Sequence, residues 1–176
     1  MTKWILMVLA WFALIAVLLY MKSYQSFSDR MQANEEKTYK TKKGNQRALV
    51  LFQDSKHGTV GKYADMVKDQ LLSKGYNVTV NHPRNDLSYD PMKYDLVVLL
   101  GPVYLGKPSK TFTDYISKNP FINRKIVIIL VGYNPEDTRE LKILEERLPN
   151  HNTVYTLKIG KEDTEQIGKI IKKATG

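Results

Sequence analysis

The chain has 176 residues, and once an apolar N-terminal stretch is set aside the remainder of about 130 has room for one domain with a full core and none for a second. The absence of cysteine excludes disulfides, thiol catalysis, thiolate zinc sites, iron–sulfur clusters and lipid attachment through a thiol. Lysine and arginine number 27 against 18 aspartates and glutamates, a formal net charge of +9 that suits an anionic ligand, an acidic partner or a membrane surface. The lysines are scattered through the helical patterns and not gathered into an aromatic-laced stripe, which argues against nucleic acid. His57, His82 and His151 lie far apart with no carboxylate-rich spacing around them, so no metal site is expected.

Residues 4–21 are uncharged, almost wholly apolar and bracketed by Lys3 and Lys22. At about 1.5 Å per residue they span roughly 27 Å, the depth of a hydrocarbon core. Trp4 and Tyr20 fall at the two ends, where amphipathic rings prefer the headgroup level. A cleaved signal peptide is the competing reading, but Leu18, Leu19, Tyr20 and Met21 are bulky and offer no small-residue cleavage site. Residues 1–22 are therefore expected to be a retained single-pass anchor in the cell membrane. Lys22, Arg30, Lys37 and Lys40 follow it, which by the positive-inside rule places the rest in the cytoplasm. Residues 23–46 are polar and charged, and read as a tether unable to fold alone.

From Arg47 apolar strands and amphipathic helices alternate, defining a domain over residues 47–176. A first strand (residues 48–52) runs into the loop 53–59, which would deliver backbone N–H groups to a helix N-terminus where the dipole favours phosphate. Ser55 and Thr59 can donate hydroxyls, Lys56 adds charge, and Gly58 permits close backbone approach; an ordinary turn with hydroxyl caps is the other reading. Val60, Tyr63, Ala64, Val67 and Leu71 mark the buried side of the helix that follows, ended by Gly75.

A short strand over 77–81 and a loop over 82–93 come next. The strand 95–100 then meets the glycine-flanked loop 101–106, before a helix that opens near Pro108 and Ser109 and buries Phe112, Tyr115 and Ile116. The strand 125–131 is followed by Gly132 and Tyr133, and Asn134 as cap, Pro135 at the first position and Glu136 and Asp137 in the first turn predict a helix start, with Leu141, Leu144 and Leu148 inward. A strand over 153–159 precedes a last helix, introduced by Asp163 and Gln166 as a capping box, with Ile167, Ile170, Ile171 and Ala174 inward.

Five strands alternating with helices, three of them continuous apolar runs, specify a doubly wound α/β fold around a parallel sheet. Ligands in such sheets bind beyond the carboxyl ends of the strands, where the strand order reverses. Tyr104 or Tyr133 could stack on a flat ring there, although each also suits a packing role. No serine, histidine and acid constellation for hydrolysis is visible, so redox chemistry would belong to a cofactor.

At these three loops the chain resembles the flavodoxin-like family, particularly the short flavodoxin-domain proteins that include the quinone-linked protoporphyrinogen dehydrogenase of the haem pathway. The resemblance covers about residues 47–173 and implies strand order 2-1-3-4-5 and a bound FMN. It implies that Asp54, Ser55, Lys56, His57, Gly58 and Thr59 lie at the FMN phosphate. Gly101, Pro102, Val103, Tyr104, Leu105 and Gly106, which carry a G-x-x-Y-x-G pattern, and Gly132, Tyr133 and Asn134 would flank the isoalloxazine. The chain departs from the family at Val60, where a hydroxyl residue is usual; the lost donor weakens FMN by about 1 kcal/mol. The domain is also basic where many flavodoxins are acidic around the flavin, so its partners must differ.

The expected function is a membrane-anchored electron-transfer flavoprotein serving a membrane-associated redox protein or a quinone, more a carrier than an enzyme. The rival is a flavodoxin fold without flavin, acting as a tethered interaction module.

Overall fold

The computed structural model describes residues 2–86, 89–119, 121–122, 124–160 and 163–176; Leu87 and Ser88 of the expected loop 82–93 lie outside them. The chain opens with one long helix, α1 (Thr2–Ser28), whose apolar side chains face outward along its length. Its stretch Lys3–Tyr24, 22 residues, is long and apolar enough to cross a membrane.

The segment after α1 departs from the expected free tether. It carries a short strand, β1 (Lys37–Tyr39), and reaches the central strand β2 (Gln46–Phe52). Helix α2 (Thr59–Ser73) and strand β3 (Tyr76–Asn81) follow, with β1 antiparallel on the outer edge of β3. Polar residues suffice there because an edge strand needs only backbone pairing and a few side-chain bonds, not a buried apolar face. Thr38 and Thr79 share a hydroxyl contact, and the Thr41 N–H donates to Asn77 at 2.9 Å.

The remaining elements are β4 (Leu96–Tyr104), β5 (Lys107–Pro108), α3 (Lys110–Lys118), β6 (Lys125–Val131), α4 (Arg139–Glu145), β7 (Thr153–Ile159) and α5 (Thr164–Thr175). The sheet order is β1-β3-β2-β4-β6-β7, with β5 pairing back on β4. β2, β3, β4, β6 and β7 run parallel to one another in the predicted order, and the order reverses between β2 and β4.

Alternation along each strand divides the core between two faces. Ala48, Val50, Val98 and Ile129 point toward α2 and α5, packing on Val67, Leu71, Ile167 and Ile171. Leu49, Leu51, Leu99 and Ile128 point toward α3 and α4, packing on Phe112, Tyr115, Leu141 and Leu144. These side chains are almost wholly buried, and the valines, leucines, isoleucines and phenylalanine among them each contribute about 1.5–3 kcal/mol of hydrophobic stabilisation.

Three local expectations are corrected. The strand expected to stop at Leu100 continues to Tyr104, because Gly101 and Pro102 pair with Leu130 and Val131 of β6. The turn proper is Leu105–Gly106, whose positive φ values of 54° and 68° match the two-residue type I′ hairpin joining β4 to β5. The helix expected to begin at Pro135, with Asn134 as its cap, begins at Arg139, because the Asp137 carboxylate accepts both the N–H and the guanidinium of Arg139 and holds a turn ahead of α4. Asp163 precedes α5 as expected but makes no side-chain bond to its backbone; its carboxylate accepts from the Gln166 side-chain amide instead.

Candidate functional site

The carboxyl ends of β2, β4, β6 and β7 surround a cleft of about 810 Å³, within the size range of small-molecule sites. Ser55, His57 and Thr59 line it from the first loop, Pro102, Val103 and Tyr104 from the end of β4, and Gly132 and Tyr133 from the loop after β6. The three segments expected to flank a ligand therefore converge on one cavity. Asp54, Lys56, Gly58, Gly101, Leu105, Gly106 and Asn134 are not among its lining residues. The cleft also takes Val131, Pro135, Gly160 and Asp163, which sequence reasoning missed. Gly160 and Asp163 follow β7, whose loop carries neither aromatic nor hydroxyl signal.

The first loop is built around its own helix start. Gly58 sits at the cap of α2 with φ 69°, a conformation that side-chain-bearing residues rarely adopt. Ser55 Oγ accepts the N–H groups of Thr59 at 2.9 Å and Val60 at 3.3 Å. Asp54 Oδ1 accepts those of Ser55 at 2.7 Å and Gly61 at 3.0 Å. The donors that would meet a phosphate are thus held by the chain's own side chains, and the Asp54 carboxylate places negative charge beside them.

Tyr104 links the first and second segments, since its hydroxyl accepts the Lys56 N–H at 3.2 Å. Burial, reinforced by the Asp54 charge, raises its pKa despite the opposing Lys56 bond, so the phenol is protonated at neutral pH. Gly132 packs closely, since a Cβ there would stand 3.2 Å from Val103 Cβ and 3.3 Å from Lys158 Cε and would need those neighbours to give by a few tenths of an ångström. Lys158 itself is buried and donates to both Glu140 oxygens at 2.9 and 3.0 Å and to the Asp137 carbonyl at 2.6 Å, pinning the third loop and α4 to β7. His82, by contrast, is structural, with Nδ1 2.7 Å from the Phe52 carbonyl.

Tyr24, from the end of α1, is a further lining residue. The chain after it crosses the carboxyl ends of the strands as a strap. The Asp29 carboxylate accepts the Lys110 N–H at 2.5 Å, and the Arg30 carbonyl accepts the Gln53 amide at 3.0 Å. Gln32 Oε1 accepts the Asp54 N–H at 3.1 Å, and Asn81 bonds Asn34 and the Glu35 N–H.

The flavodoxin domain family model matches residues 49–173. No curated protein matches the chain. Among solved structures, oxidised flavodoxin 2 from Bacillus cereus is similar at 20% identity and a TM-score of 0.53, covering 73% of this chain and 94% of that one. Streptococcus pneumoniae TIGR4 flavodoxin is 17% identical with a TM-score of 0.57, covering 73% and 97% of the two chains. Fusobacterium nucleatum flavodoxin bound to flavin mononucleotide is 12% identical with a TM-score of 0.55, covering 73% and 96%. At these identities the likeness to solved structures is one of fold.

Proposed function

Because the chain belongs to the flavodoxin domain family, we propose that it is a membrane-anchored flavoprotein that holds FMN noncovalently in the cleft and exchanges electrons with a membrane-associated redox protein or quinone. The observation that carries this reading is the convergence of three loop segments, two of them bearing tyrosines, on one cleft beyond the strand ends.

The residues present suit the ring of a flavin better than its phosphate. Pro102, Val103, Tyr104 and Tyr133 give the cavity apolar and aromatic walls, as a flat ring needs. At the other end, Ser55 and Thr59 bring hydroxyls, but Ser55 must release the α2 N–H groups and the phosphate must lie near Asp54. Bound flavin supplies the electron-accepting and electron-donating chemistry. The protein's part is to hold the ring against Tyr104, keep that phenol protonated and neutral, and restrict water with the Pro102 and Val103 wall.

The span Lys3–Tyr24 supports anchoring, and a tether that confines a small carrier to its partner's surface raises their effective concentration. Titration of FMN into the full chain in detergent micelles tests the binding. Saturable quenching of flavin fluorescence, weakened about tenfold in Tyr104→Ala, is expected; no binding at high micromolar FMN overturns the reading. Asp54 and Val60 favour a second reading, a flavin-free interaction module, which predicts that null titration.

A further inference from the structure

We propose that Tyr24, on the membrane-anchor helix itself, is a wall of the cofactor site, so that the anchor completes the cleft and controls how readily the ligand leaves. The proposal rests on the flavin reading above. Among the described residues Tyr24 is the one from α1 that lines the cleft, and its contacts fall on the first loop and the end of β4. Its hydroxyl lies 3.1 Å from His57 Nε2, and its ring meets Tyr104 edge to face, with centroids 5.6 Å apart and planes at 62°. The Lys56 ammonium stands 4.2 Å from its ring centroid, and Tyr20, one turn earlier, shares a 2.6 Å hydroxyl contact with it.

The placement is enforced by the chain that follows. Within five residues of Tyr24 the Asp29 carboxylate takes the N-terminal Lys110 N–H of α3, and the Asp29 carbonyl takes the Thr111 hydroxyl at 2.6 Å. Arg30 and Gln32 then bond to Gln53 and Asp54, at the root of the first loop. The chain just past the end of α1 is thus fixed to both the start of α3 and the first loop, which holds Tyr24, one turn earlier, beside the cleft. The opposite side has no such enclosure, because Tyr133 is fully exposed. Tyr24 and Tyr104, both partly buried, therefore form an aromatic corner of the site, and Tyr133 stands at its open rim.

A rigid ring that buries part of a bound ligand slows its escape more than its entry, so the effect belongs chiefly in the dissociation rate. The test uses the full chain in lipid nanodiscs with FMN as probe, comparing wild type, Tyr24→Ala, Tyr24→Phe and Trp11→Ala, the last an exposed mid-span control. The measured quantities are the FMN dissociation constant, the dissociation rate, and quenching of bound flavin fluorescence by iodide. Tyr24→Ala is expected to weaken FMN about tenfold, mainly through faster dissociation, and to increase iodide quenching. Tyr24→Phe, which keeps the ring, is expected within threefold of wild type, and Trp11→Ala unchanged.

Wild-type values for Tyr24→Ala in all three measurements, or equal losses in Trp11→Ala, overturn the proposal while leaving the flavin reading intact. Absence of FMN binding by the wild type overturns both. If Tyr24→Ala loses its native circular dichroism, Tyr24→Leu, which preserves apolar volume without the aromatic face, decides the matter by the same criteria.

Discussion

Asp54 occupies the position on which the chemistry of the first loop turns. Its carboxylate accepts the Gly61 N–H in the first turn of α2 and the Ser55 N–H in the loop before it, and so stands where a ligand phosphate would be drawn by the same donors. At an effective dielectric constant of about 20, two unit negative charges about 4–5 Å apart oppose each other by about 3–4 kcal/mol, of which solvent and salt screening leave a part. Asn caps helices as well as Asp does. Asp54→Asn is therefore expected to tighten FMN about tenfold while leaving riboflavin, which has no phosphate, unchanged; parallel fluorescence titrations check this. Equal effects on both ligands would place the phosphate elsewhere. The missing hydroxyl at Val60 is legible in the sequence, since it is a matter of residue type. The role of Asp54 is not, because it depends on which way one short side chain turns.

The third loop shows how elements are held where the sequence pattern misleads. Asn134, Pro135, Glu136 and Asp137 carry the signs of a helix start, yet α4 begins at Arg139 because Asp137 spends its carboxylate on that residue. The Arg139 guanidinium holds the Asp137 carboxyl well below the usual carboxylate range. A lowered folded-state pKa contributes stability that is present above the unfolded value of about 3.9 and is lost as pH falls through the lowered value. The turn ahead of α4 is thus expected to stay ordered at mildly acidic pH and to loosen only in strong acid, as hydrogen exchange at Arg139 would report.

Beneath it, removing one partner of the buried Lys158–Glu140 pair leaves an uncompensated charge. Glu140→Leu alone is expected to destabilise the fold by about 3–5 kcal/mol, and Glu140→Leu with Lys158→Met to recover most of that loss in denaturant melts. A lysine between Leu157 and Ile159 in a strand hints at such a partner, but only the packing of α4 on β7 identifies it. The parallel core was far more legible. The buried positions Val60, Tyr63, Ala64, Val67 and Leu71 follow directly from the 3.6-residue period of α2.

At the scale of the whole molecule, the segment joining α1 to the flavodoxin domain is part of the fold. Its composition conceals this, because the strap is held by polar bonds and edge-strand pairing that leave no hydrophobic period to read. Asn81 is its principal fastener, buried and bonded to Asn34, the Glu35 N–H and Tyr89. Asn81→Ala is expected to destabilise the protein by about 1–3 kcal/mol and to speed hydrogen exchange at Lys37–Tyr39 before exchange in the central strands.

With α1 in a bilayer, the strap would keep the first loop at headgroup level, because Lys56 and His57 touch the end of the span. The cleft would then open at the surface where a membrane-bound partner resides. The central claim is that this cleft holds FMN. The most direct measurement is the absorption spectrum of the full chain purified from native membranes, followed by mass determination of any cofactor released on denaturation. Flavin absorption approaching one FMN per chain is predicted. A colourless protein that remains flavin-free after incubation with excess FMN would contradict the account.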